Sequence, residues 1–142
     1  MVEFMLVIIF LFVLFISMLQ MIFLMHSYTT IADAAKEGIR YAIVHGTGNS
    51  TCSGPGTSAV TCTDTTGANV KTAVVNFAVT SFQNVTAADV TVSYNPNNAN
   101  GTNPCNVAGC MVQVQVSHTY RPFFFNWPNI TLNAAAGGRI MN

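Results

Sequence analysis

The feature that most constrains this chain is an uninterrupted apolar segment near its N-terminus. From Phe4 to Met25, only Ser17 and Gln20 are polar. The 22 residues of this segment make about 33 Å of α-helix, which is enough to cross the ~30 Å hydrocarbon core of a bilayer. Burying about twenty such side chains contributes on the order of 30 kcal/mol. We therefore expect the segment to lie in lipid or against other copies of itself.

Charge is scarce throughout the chain. Of 142 residues, 5 are basic and 5 are acidic, and the first basic residue is Lys36. After the apolar segment there is room for one head of about 100 residues, which excludes a large enzyme with a cofactor domain. The formal net charge of zero provides no basic face for phosphates. Nucleic acid is therefore not an expected partner.

The flanks of the apolar segment differ from those of a signal peptide or an ordinary anchor. No small-residue cleavage site follows Met25, so we expect the segment to be retained. Lys or Arg normally marks the cytoplasmic end, and none precedes Lys36. The simplest hypothesis is that a short basic leader preceded Met1 and was removed. Glu3 either lies at the headgroup level or is neutralised by an α-amino group, on its own chain or on a neighbour.

The helical pattern continues beyond the apolar segment. No Pro or Gly occurs in residues 2–37, and residues 33–40 contain two pairs of opposite charge three positions apart, a spacing typical of a solvated helix face. We therefore predict one helix over residues 2–45. We expect the chain to be divided into this hydrophobic helix, residues 1–45, and an extracellular head, residues 46–142.

The head has the pattern of a small α+β fold. Residues 68–82 place apolar side chains at helical spacing, and we expect Asp64 or Thr66 to cap this second, amphipathic helix. Period-two alternation predicts three strands, at residues 89–94, 111–120 and from Asn129 to about Ala136. We predict an α+β fold with a long N-terminal helix and a three-stranded antiparallel sheet packed against a helix.

Four cysteines lie in the head and form no C-x-x-C pair. In a head that lies across a membrane we expect two disulfides and hence an oxidising compartment. Three connectivities are open, and the sequence-local one is favoured because each bond would close a polar loop. It pairs Cys52 with Cys62 and Cys105 with Cys110. A zinc site is the less favoured alternative.

Two further sets of residues are candidates for contacts or modification. The segment RPFFFNWP concentrates aromatic side chains that either complete the core or form an exposed patch for a neighbouring subunit. These side chains are Phe123, Phe124, Phe125 and Trp127. Four N-x-[ST] sequons are candidate glycosylation sites, although a chain so rich in Asn, Ser and Thr contains some by chance. They are Asn49, Asn84, Asn100 and Asn129.

Few residues in the sequence could build an active site. The histidines His26, His45 and His118 are far apart in sequence, and the head carries only the carboxylates Asp64 and Asp89. The sequence contains no G-x-S-x-G, no metal-ligand cluster and no phosphate-binding Gly loop. We therefore expect no enzyme activity, no cofactor and no metal. A tethered enzyme acting through His118 or Asp89 is the least favoured hypothesis.

The N-terminal string VEFMLVIIFLFVLF and the later string IADAAKEGIRYAIV resemble the TadE-like pseudopilin family of tight-adherence systems. The resemblance covers Val2, Glu3, Phe4, Leu6 and Val7, and then residues 33–42. It implies a type IV pilin-like protein whose basic leader is cut by a prepilin peptidase and whose helix leaves the membrane to form a filament core. Assembly would then depend on Met1, Glu3 and Phe4, with Glu3 as a docking charge for the N-terminal amine of an adjacent subunit. Family members carry this glutamate two positions later, so either two residues precede Met1 or the cleavage differs.

The leading hypothesis is thus a structural subunit of an extracellular Tad-like pilus, used for adhesion or surface attachment. Its partners would be copies of itself, the cytoplasmic membrane before assembly, the prepilin peptidase and the assembly machinery. The alternative is a single-pass membrane protein whose head is a binding or adhesion module and which does not polymerise.

Overall fold

The computed structural model describes residues 2–55, 62, 64–79, 84–95, 105, 107–122 and 128–141. Within these residues, two α-helices precede a three-stranded sheet, and a 3-10 turn at Ala87–Asp89 leads into the first strand. The architecture is α+β, as the sequence predicts. The helices and strands are α1 (Val2–Val44), α2 (Ala68–Ala78), β1 (Val90–Tyr94), β2 (Met111–Tyr120) and β3 (Ile130–Arg139).

Helix α1 runs without interruption for 43 residues. It ends where His45 turns back onto Tyr41. The two rings stack with centroids 3.9 Å apart, and the His45 backbone N–H donates to the Tyr41 carbonyl at 3.1 Å. The helix is therefore one residue shorter than predicted. Its first part is exposed on all sides, whereas one face is buried from Gln20 onward.

The sheet is antiparallel with strand order β1-β2-β3. Val114 on the central strand faces Val92 on one side and Ala136 on the other. The predicted alternation along β2 is confirmed, because one face is buried and the other is largely exposed. The buried side chains of β2 are Val112, Val114, Val116, His118 and Tyr120.

The second half of α1 is the central element of the core. It packs against α2, β2 and β3, and its inward side chains include Ile31 and Ala34, both fully buried. Two glycines permit the close approach. A Cβ at Gly38 would collide with Val74 of α2, and a Cβ at Gly138 would lie 2.6 Å from Ile43 Cδ1. The head and the second half of α1 therefore share one hydrophobic core.

Two predicted boundaries are wrong. Helix α2 ends at Ala78, not at residue 82, and Val79 lies just beyond it with 74% of its surface exposed. Strand β3 begins at Ile130 and continues to Arg139, past the predicted end near Ala136. The continuation includes Gly138, where the lack of a side chain lets α1 approach the strand closely.

Candidate functional site

The first half of α1 is an exposed apolar surface. Every residue from Val2 to Phe15 is exposed, including Phe4 and Phe10 at 70% each. The helix is long and apolar enough to cross a membrane, and 6% of its most apolar 18-residue window is buried within the chain. Exposed apolar area of this size marks contact with lipid or with another protein surface. The helix can therefore anchor the chain in a membrane.

Glu3 and Phe4 lie in the first turn of this helix, and both are exposed. A carboxylate in the first turn is favourable because the N-terminal end of a helix carries partial positive charge. Among the described residues, Glu3 has no ion-pair partner within 4.0 Å. Its neutralising cation, if Glu3 is taken out of water, must come from outside this part of the chain. Met1 lies outside the described residues.

A second feature is the junction between α1, α2 and β1, which is organised by the Asp64 carboxylate. The Ser53 hydroxyl donates to Asp64 Oδ2 at 2.6 Å. The backbone N–H groups of Ala68 and Asn69, in the first turn of α2, donate to the two carboxylate oxygens at 2.7 and 2.8 Å. Asp64 is thus the side chain that caps α2, as one of the two predicted alternatives stated. The Tyr94 hydroxyl lies 3.4 Å from the Ser53 hydroxyl.

Hydrogen bonding governs the charge state of this buried group. Burial by itself raises the pKa of the Asp64 carboxyl, but the bonds from Ser53 and from the Asn69 and Ala68 backbone outweigh burial and leave the pKa below its usual value. The carboxylate is therefore ionised at neutral pH. Burial also raises the pKa of the nearby Tyr94, which stays a neutral hydroxyl. These hydrogen bonds hold the segment around Ser53, which follows α1, against the first turn of α2.

The sheet end opposite this junction has a polar cleft of about 390 Å³ that contains a histidine and a carboxylate. His118 Nδ1 lies 3.0 Å from Asp89 Oδ2, and the same oxygen accepts the Thr86 backbone N–H at 2.9 Å. Burial raises the pKa of the Asp89 carboxyl, but the hydrogen bonds from Thr86 and His118 together have a larger, opposite effect. The pKa of Asp89 therefore lies below its usual value. The cleft is lined by Asn84, Thr86, Asp89, His118, Thr119 and Arg121.

This pair has the residue types of the base and orienting acid of a hydrolase, but Nε2 of its histidine is buried. His118 Nδ1 is occupied by Asp89, and His118 Nε2 is buried, with no described group in hydrogen-bond range. A general base must reach the proton that it removes, and Nε2 is shielded from solvent. The pair instead ties β2 to the turn before β1.

The cysteines form the two sequence-local bonds, Cys52–Cys62 and Cys105–Cys110. The first closes the loop that carries Ser53, beside the Asp64 junction. The second joins Cys105 to Cys110, the residue directly before β2. Across the described part of the chain, no three His, Cys, Asp or Glu residues cluster as metal ligands.

The candidate glycosylation sites differ in their surroundings. Asn49 Oδ1 accepts the backbone N–H and the hydroxyl of Thr51, both at 3.0 Å, and its Nδ2 donates to the Val44 carbonyl at 3.4 Å. Its amide therefore stabilises the end of α1. Asn84 and Asn129 are exposed. The fourth site, Asn100, and the aromatic candidates Phe123, Phe124, Phe125 and Trp127 lie outside the described residues.

The contact between Asp89 and His118 is the structural feature that the sequence analysis missed. Each residue was considered separately, because 29 positions separate them. The signal that could have joined them was strand register. Val90 faces Val116, so a hairpin between the two predicted strands brings the residue before β1 close to His118.

Neither a search of curated proteins nor a search of solved structures gave a match. The family model described as TadE-like protein matches residues 1–40. This range contains the exposed apolar surface, Glu3 and most of the later segment of α1 that packs into the head. Over its first 40 residues, then, this chain is similar to TadE-like proteins.

Proposed function

We propose that this chain is a structural subunit of an extracellular Tad-like pilus that polymerises through its N-terminal helix and serves adhesion or surface attachment. The observation that carries the proposal is the exposed apolar half of α1, from Val2 to about Leu19, in continuous helix with the core of a folded head. A helix that serves only as an anchor needs to span the lipid and does not need to continue into the core of the head. The TadE-like match over the same residues favours assembly.

The energetics support association of these helices. Fully burying a Val, Leu, Ile or Phe side chain contributes about 1.5–3 kcal/mol, and the exposed half of α1 consists almost wholly of such residues. When α1 leaves the membrane, other copies of the same helix are the surface able to replace lipid around it. We infer that the chain is membrane-embedded before assembly and extracellular afterwards.

Glu3 is the residue we assign to docking. Its exposed carboxylate has no ion-pair partner among the described residues, and a carboxylate moved into an apolar bundle is costly unless paired. The N-terminal amine of an adjacent subunit supplies the matching charge. Removal of a basic leader by a prepilin peptidase would expose that amine.

We further propose that the chain has no catalytic role. The buried Nε2 of His118 supports this, because a general base must reach the proton that it removes. The alternative function is a membrane-anchored binding or adhesion module that does not polymerise.

Replacing Glu3 separates the two functions. Glu3→Ala and Glu3→Gln are expected to abolish filaments seen by electron microscopy of the cell surface, while the chain accumulates in the membrane with both disulfides formed. Glu3→Asp, which keeps the charge, is the matched control and should retain filaments. Normal filaments from Glu3→Ala would refute the docking role. A wild-type chain that stays in the membrane and forms no filament would favour the anchored module.

A further inference from the structure

Four charged side chains form a belt on α1 just beyond its apolar half. The charge belt consists of Asp33, Lys36, Glu37 and Arg40, and it holds four of the chain's charges, of which there are 5 basic and 5 acidic. Their side chains are 55%, 68%, 42% and 78% exposed, respectively. Within the chain, Lys36 lies 2.8 Å from Asp33 and Arg40 lies 3.3 Å from Glu37. Exposed pairs of this kind add little to the stability of a helix already held by packing.

The charge belt lies on the face of α1 that is turned away from the head. At about 100° per residue, Arg40 is about 160° around the helix from Gly38, which contacts α2. The same outer face continues into the apolar half through Phe15, Met18 and Ile22, all exposed. A second helix that packs along this apolar face therefore meets the charge belt.

We propose that the charge belt is a contact between neighbouring copies of this chain and that it sets the axial offset between their parallel helices. This inference rests on the proposed function, because it requires that the helices associate. The partner is a second copy of the chain, because the belt carries two acidic and two basic side chains. Two such belts attract each other only when one helix is displaced along its axis relative to the other.

The offset follows from the order of the charges along the helix. With no offset, each of the four charges meets its own copy, and an offset of four residues pairs Asp33 with Glu37 and Lys36 with Arg40. Both arrangements are repulsive. An offset of three residues, about 4.5 Å, pairs Asp33 with Lys36 and Glu37 with Arg40. An offset of seven residues, about 10.5 Å, pairs Asp33 with Arg40 and returns nearly the same helix face to the contact. The charge belt thus permits offsets of three or seven residues and opposes zero and four.

Two variants of opposite charge test the contact. Asp33→Lys/Glu37→Lys makes the belt wholly basic, and Lys36→Glu/Arg40→Glu makes it wholly acidic. Each variant expressed alone is expected to lose filaments, because like charges meet at the offsets of three and seven residues that the wild-type belt permits. Expressed together, the two variants should form mixed filaments that contain both chains in similar amounts.

The matched control inverts all four charges, which keeps the net charge and both intrachain pairs. This fully inverted variant should assemble alone and be excluded from wild-type filaments. Formation of both disulfides and protease resistance of the head report folding and export of each variant.

Wild-type levels of filament from either single-sign variant would overturn the proposal. Failure of the two variants to assemble together, or failure of the fully inverted variant with a folded head, would also overturn it. If the variants fail in this way while the wild-type chain still forms filaments, the charge-belt proposal is refuted and the proposed function stands. If the wild-type chain forms no filaments, both the charge-belt proposal and the proposed function are refuted.

Discussion

Replacing Asp64 with Ala is expected to destabilise the head by about 2.5–4 kcal/mol. Loss of an N-terminal helix cap costs about 1 kcal/mol, and the Asp64 carboxylate caps α2 through two backbone N–H groups. A hydrogen bond to a charged group contributes about 1.5–3 kcal/mol, and Ser53 donates such a bond in a buried setting. The sum of these two contributions gives the expected loss in the free energy of unfolding.

The measurement is urea unfolding of the full chain in detergent micelles, followed by the fluorescence of its single tryptophan. Asp33→Ala is the matched control, because Asp33 is a carboxylate that is 55% exposed and paired with Lys36 alone. It should change the free energy of unfolding by less than about 1 kcal/mol. Asp64→Asn keeps one acceptor oxygen and should fall between the two. If Asp64→Ala and Asp33→Ala give the same free energy of unfolding, the reasoning about the junction is wrong.

The remaining predictions concern packing and pH. Gly138→Ala should destabilise the head by about 1–3 kcal/mol, because the new Cβ would lie 2.6 Å from Ile43 Cδ1 and 3.1 Å from Ile39 Cγ2. Gly137→Ala is its control and should be tolerated, since its Cβ would lie 3.6 Å from Met111 Cε, and equal urea midpoints for the two variants would contradict the close approach of α1. The pKa values of Asp64 and Asp89 are lowered in the folded head, so their contribution to stability is complete above the unfolded value near 4 and is lost as pH falls through the folded values. The urea concentration at the unfolding midpoint, measured from pH 7 to pH 2, should therefore decrease once the pH is below about 4. The decrease should be smaller in Asp89→Asn. A midpoint that does not change with pH would exclude this linkage.

The parts of the fold that the sequence predicted are those with long regular patterns. Ten residues of strict alternation defined β2, and the absence of Pro and Gly before Gly38 defined α1. The apolar half of α1 and the position of Glu3 were also readable, because length and composition set their chemistry without reference to the rest of the molecule.

The errors arose where tertiary contacts overrule local pattern. Val79 continued the helical spacing of α2, yet it is exposed and lies beyond the helix. Gly137 and Gly138 have low strand propensity, yet β3 continues through both, because they pair with Gln113 and Val112 of β2. The contact of Asp89 with His118 depends on how β1 pairs with β2, which composition and spacing do not state.

The continuity of α1 has a mechanical consequence. Tension applied to the head of an anchored or assembled chain passes directly from the sheet into the helix, since Ile31, Ala35 and Ile39 are buried in the core of the head. No hinge lies between the two, so the pull acts as shear along the contact of α1 with β2 and β3. Many side chains resist shear together, whereas a flexible linker would pass the force through one backbone strand. We expect the head to yield by sliding of the sheet along α1, with the two disulfides outside the path of the force.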